Sequence, residues 1–170
     1  MNHSLKISVI LATLLLGSIT ATLSAQQYLE VTGRKSNIRS SPTTRSAIVT
    51  RAQRGDIFEL KDESGDWYHI RLFSGELRYL HKRLAQEISY TPAVPGDSSQ
   101  RREIFITLQE ADRRVRREAE KKHPTNKALK KNIEYTHILE DRYKLKVIRQ
   151  FGVQAPLYRR LAIEGNQKGW

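Results

Sequence analysis

Between Tyr28 and Ile88 the chain changes character every few residues, and no helical period survives for long. Tyr28-Leu29-Glu30-Val31-Thr32 alternates apolar and polar side chains until Gly33 breaks it. Asn37-Ile38-Arg39 is short and runs into the turn-rich Ser40-Ser41-Pro42-Thr43-Thr44. Ile48-Val49-Thr50 precedes a turn at Arg54-Gly55-Asp56, and Ile57-Phe58-Glu59-Leu60 follows. Ser64-Gly65-Asp66 then leads into Trp67–Leu72, and Ser74-Gly75-Glu76 into Leu77-Arg78-Tyr79-Leu80. Five to seven short strands within about 60 residues predict a small β-barrel.

Two runs within this stretch are specific in their order. The residues Asn37-Ile38-Arg39-Ser40-Ser41-Pro42, Gly55, Gly65-Asp66-Trp67-Tyr68-His69-Ile70 and Tyr79-Leu80 resemble the bacterial SH3 family. Two positions depart from the family pattern. Ser36 stands where an apolar residue precedes the Asn, and Arg78 stands where a Gly precedes the closing aromatic. The resemblance covers about a third of the chain and implies a barrel used for binding, with cell-wall peptidoglycan as the commonest ligand of exported relatives. On this reading Tyr68, Tyr79 and the loop containing Ser41 and Thr43 line a shallow groove, where aromatic faces stack on sugar rings or peptide. Trp67 and Arg39 belong with them as ligand contacts, or else serve the fold: Trp67 as core and Arg39, with Asn37, as an anchor of the loop that follows.

The first 25 residues read as a secretory signal peptide. Lys6 supplies a positive start, Ile7 to Gly17 an apolar run, and Leu23-Ser24-Ala25 a cleavage site after Ala25. The apolar run is short for a membrane span. The expectation is an exported protein, periplasmic or secreted, free of the membrane once cleaved.

Residues 89–99 form a linker by composition, with Pro92, Pro95, Gly96, Ser98 and Ser99. Beyond it, residues 100–170 read as helices. Ile104, Leu108, Ala111, Val115 and Ala119 recur at helical spacing, with Ser98 or Ser99 as cap, and Pro124 ends or kinks that helix. Leu129, Ile133, Thr136, Leu139, Tyr143 and Val147 make a second stripe. A third, short helix starts at Pro156, buries Leu157 and Leu161, and stops at a Gly165 cap. The fold class is therefore α+β: an SH3-like barrel followed by a helical hairpin and a short third helix.

Charge divides the two halves. Residues 26–97 hold 11 Lys/Arg against 9 Asp/Glu, whereas residues 98–170 hold 18 against 9. Arg113, Arg114, Arg116 and Arg117 are a solvated helix face or an anionic docking surface for a membrane, a wall polymer or an acidic partner. Export and the lack of interleaved aromatics argue against nucleic acid. With no Cys, disulfides, thiolate metal sites, a Cys nucleophile and lipidation on Cys are excluded. The histidines show no metal-binding spacing; His137 with Glu134 and Glu140 reads as ion-paired surface. No phosphate loop or nucleophile elbow is present, so no cofactor and no catalysis are expected. The expected function is a non-catalytic envelope protein binding peptidoglycan or a peptide. The alternative is an adaptor that uses its helices to pair with a protein partner or with itself, the barrel acting as spacer.

Overall fold

The computed structural model describes residues 26–94 and 96–170; the signal-peptide reading lies outside them. Seven strands form one antiparallel sheet: β1 (Tyr28–Val31), β2 (Lys35–Arg39), β3 (Ile48–Gln53), β4 (Ile57–Ser64), β5 (Trp67–Arg71), β6 (Leu77–His81) and β7 (Ala85–Ile88). Their order is β3-β2-β6-β5-β4-β1-β7. Ala52 of β3 and Ala85 of β7, on opposite edges, share one apolar cluster with Leu29, Ile38, Phe58, Ile70 and Leu80, so the sheet is rolled around its core. Gly65, at φ +53°, makes the β4–β5 turn, a left-handed position that side chains with a Cβ adopt at a cost. Strand β7 had no signal of its own: Ala85-Gln86-Glu87-Ile88 is half polar, and pairing with β1 creates it.

Three helices follow: α1 (Ser98–Lys122), α2 (Thr125–Gln150) and α3 (Tyr158–Lys168). Asp97, rather than either serine, caps α1, its carboxylate accepting the Gln100 N–H at 2.9 Å. The expected stripe on α1 is buried, with Ala111 packed at its margin and Phe105 added. On α2 the stripe holds only in part. Leu139 and Val147 are buried, but Leu129 and Ile133 are 57% and 45% exposed. Ala128 breaks the helical geometry at φ −149°, ψ 47°, and Asn132 turns inward instead, donating to the His123 carbonyl at 2.7 Å.

The third helix also runs further than Gly165. It ends at Gly169, in the left-handed region at φ +64°. Gly165 serves packing instead of capping: a Cβ placed there would lie 2.2 Å from the Phe105 ring, so glycine lets α3 press on α1.

The linker separates the halves along the chain, yet packing joins them. Leu145, Ile148, Val153, Leu157 and Leu161 belong to the same apolar cluster as the barrel core. Polar clamps fix the docking. Asp141 of α2 is fully buried and accepts the Ser74 N–H at 2.9 Å and the Arg78 Nε at 2.7 Å. Arg149 forms an ion pair with Asp56 and donates to the Arg51 carbonyl at 2.9 Å. Gln154 accepts the Ile57 N–H at 2.9 Å and donates to the Gly55 carbonyl. Within the helical layer, buried Lys144 meets Asp112 at 2.8 Å and the Tyr158 hydroxyl at 2.8 Å. Burial works against its charge, but these hydrogen bonds outweigh it and hold its pKa above the ordinary lysine value.

Of the two departures from the SH3 pattern, the one at Arg78 has a physical account. Arg78 points to the core side and meets Asp141, so the residue that replaces glycine anchors the helices. Ser36 is fully buried against Gly33, where an added Cβ would approach its Oγ to 2.6 Å.

Candidate ligand-binding face

Successive residues of a strand point to opposite sides of a sheet. On β5, Tyr68 and Ile70 are buried while Trp67, His69 and Arg71 are half-buried on the other side. On β6, Arg78 and Leu80 are buried while Leu77, Tyr79 and His81 face outward. Since Arg78 reaches Asp141 on α2, the outward set points away from that helix.

Antiparallel register then pairs the aromatic groups. Trp67 lies opposite His81, and His69 opposite Tyr79. The ring centroids are 5.0 Å apart in the first pair and 4.8 Å in the second, the latter edge-to-face. Arg39 of β2 flanks Tyr79 on its other side. The result is a strip of four rings bordered by Arg39 and Arg71. The His69 Nε2 and Arg71 Nε atoms are buried and have no partner among the described residues.

The structure sorts the residues expected at the site. Trp67 and Tyr79 lie on this face. Arg39 is beside them, and its guanidinium donates to the Ser46 carbonyl at 2.6 Å, so it also holds the loop. Ser41 and Thr43 are exposed on that loop, and their carbonyls accept the Ser46 hydroxyl at 2.8 and 2.9 Å. Tyr68 is on the opposite side, in the core, with Lys82 5.6 Å from its ring centre. Burial, then the nearby Glu87 and Glu63 carboxylates, push its phenol above the ordinary range. It cannot stack on a ligand that Tyr79 touches. His69 and His81 join the face unforeseen; their alternation with Trp67 and Tyr79 was the available signal.

Residues 34–86 match the bacterial SH3 domain family. This SH3 segment holds β2 to β6 and all four rings of the strip. Among curated proteins, the chain is 36% identical over 50 residues to "Putative N-acetylmuramoyl-L-alanine amidase YrvJ" of Bacillus subtilis (strain 168). That match covers 29% of this chain and 10% of the Bacillus protein, so the chain spans about a tenth of that relative. No solved structure matches the chain.

The four arginines of the helical half do not form one surface. Arg113, Arg114 and Arg117 line a groove between α1 and α2. Arg116 faces another depression, with Glu120 and Asn132. Glu118, between the helices, accepts from the Tyr143 hydroxyl at 2.5 Å and the Tyr135 hydroxyl at 3.2 Å. These bonds, Tyr143's first, hold its carboxyl below the usual range. His137 faces Glu76 of the barrel at 3.2 Å. Among the described residues no helix is long and apolar enough to cross a membrane.

Proposed function

We propose that this is an exported, non-catalytic envelope protein whose SH3 barrel binds peptidoglycan through its glycan. The observation that carries the reading is the ring strip, Trp67–His81 and His69–Tyr79, on the side turned away from the helices. Aromatic faces stack on the apolar faces of sugar rings, and Arg39 and Arg71 at the margin offer donors to hydroxyl, acetamide or carboxylate oxygens. The amidase named among the relatives, and the signal-peptide pattern of residues 1–25, support a wall ligand and export. Titration of the intact protein with soluble disaccharide-peptide fragments, followed by amide NMR, tests this. Shifts concentrated at Trp67, His69, Tyr79 and His81 are expected; shifts confined to the helices contradict the reading.

A second reading is an adaptor. Leu129 and Ile133, with Ala47 and Ile138, line a groove of about 640 Å3 between α2 and the barrel. Such exposed aliphatic pairs suit a protein contact. Sedimentation equilibrium decides whether it joins two copies: a dimer that Ile133→Lys dissolves supports self-pairing, and a monomer at high concentration removes it.

A further inference from the structure

A basic surface separate from the ring strip runs along α2, reaching α1 on one side and β3 of the barrel on the other. Tyr143 and Lys146 form a ridge on α2 with a groove on either side. The groove toward α1, about 520 Å3, is lined by Arg113, Arg114 and Arg117, with Glu110 as its single carboxylate. The groove toward β3, about 590 Å3, is lined by Arg51, Arg142 and Arg149 and by no carboxylate. Counting Lys146, seven cations line the two grooves with one carboxylate among them, and Glu118 lies near enough to Arg114 and Arg142 for their charge to lower its pKa. Among the described residues, only Arg149 of these seven forms an ion pair, with Asp56. Like charges that outnumber their counter-ions repel one another, and a bound polyanion relieves that repulsion.

We propose that this double groove binds a linear phosphodiester polymer without aromatic bases, of the polyol-phosphate type, laid across the Tyr143–Lys146 ridge. Guanidinium groups match phosphate oxygens in paired hydrogen bonds, and six of the seven cations are arginines. The shape selects a strand, because a planar bilayer touches ridges but does not enter grooves on both sides of one. Leu129, the most exposed large aliphatic side chain among the described residues, lies over a different groove. Nucleic acid is disfavoured because single-strand binders offer free stacking rings. Here Arg114 covers the Tyr143 ring at 4.8 Å, and Glu118 holds its hydroxyl. The site stands on its own geometry; only the source of the polymer, the envelope, rests on the function proposed above.

The test is calorimetric titration of the protein with poly(glycerol phosphate). A single-stranded DNA oligonucleotide of equal charge and phosphatidylglycerol vesicles form the other arms. The polymer binds tightest, and the logarithm of its affinity falls linearly with the logarithm of salt. Arg113→Glu with Lys146→Glu weakens binding at least about tenfold and reduces the salt slope by about one to two. Arg113→Gln with Lys146→Gln gives a smaller loss in the same direction and guards against misfolding. Lys121→Glu with Lys131→Glu makes the same charge change on exposed side chains outside both grooves and leaves affinity nearly intact. Equal losses in the groove and control variants overturn the proposal, as does tighter binding to oligonucleotide or vesicles. Trp67→Ala leaves polymer affinity unchanged, so a barrel that fails to bind glycan is read separately from grooves that fail to bind polymer.

Discussion

Trp67 and Tyr68 are neighbours in sequence with opposite fates. Tyr68→Ala empties a core position and should cost about 3–5 kcal/mol, whereas Trp67→Ala removes a half-exposed ring and should cost about 1 kcal/mol. Denaturant unfolding measures both, and equal losses would contradict the assigned faces. Arg78 and Asp141 make the second test. Asp141→Ala leaves a buried guanidinium without its carboxylate, at a cost of about 3–5 kcal/mol. Arg78→Met combined with Asp141→Leu should recover most of it, because the unpaired charge is gone. Much of the face was legible at this scale. Gly65-Asp66-Trp67 set the turn, and the two-residue period then decided which rings share a side. The assignment of Tyr68 to the groove failed because a motif names residue types but not facing; facing follows from the register with β6. Arg78 was visible as a departure, but its partner lies 63 positions away, beyond any local pattern.

At the scale of elements, α1 and the start of α2 followed from periodicity and Pro124, since a one-sided helix displays its buried stripe. The α2 stripe was misleading because that helix is buried on more than one side. Asp141 and Arg149 reach the barrel, while Lys144 reaches α1 and α3, so charged residues occupy positions that an amphipathic pattern counts as solvent. The Ala128 break then leaves Leu129 and Ile133 outside. Gly165 looked like a cap because glycine ends many helices, and only the Phe105 ring against it shows the other reason for its lack of a Cβ. Gly165→Ala improves helix propensity by about 1 kcal/mol, yet crowding against Phe105 should cost about 1–3 kcal/mol. The expected net result is a lower melting temperature, and a raised one would mean that α1 and α3 adjust freely.

Across the whole molecule, composition divides the chain at residues 89–99 while the core does not. Tyr90 within the linker packs edge-to-face on Tyr28 at 5.2 Å, and Arg160 donates to the Pro92 carbonyl, so the linker itself is tied down. One shared cluster should give one cooperative unfolding transition with coincident fluorescence and circular dichroism. Ending the chain at residue 97 should expose Leu72 and Phe73, which pack beside Leu157 and Tyr158, and lower the stability of the barrel. Two separated transitions would show that the halves are independent. On this architecture the helices brace the barrel on its core side and leave the ring strip open.

The most direct measurement is sedimentation of the intact protein with purified peptidoglycan stripped of its anionic polymers, at low and high salt, beside Trp67→Ala and Tyr79→Ala. Stacking is not screened by salt as charge attraction is. The protein is therefore expected to pellet with the wall at both salt concentrations, and each variant to stay largely in solution. A protein that remains in the supernatant, or variants that pellet as the parent does, would contradict that expectation.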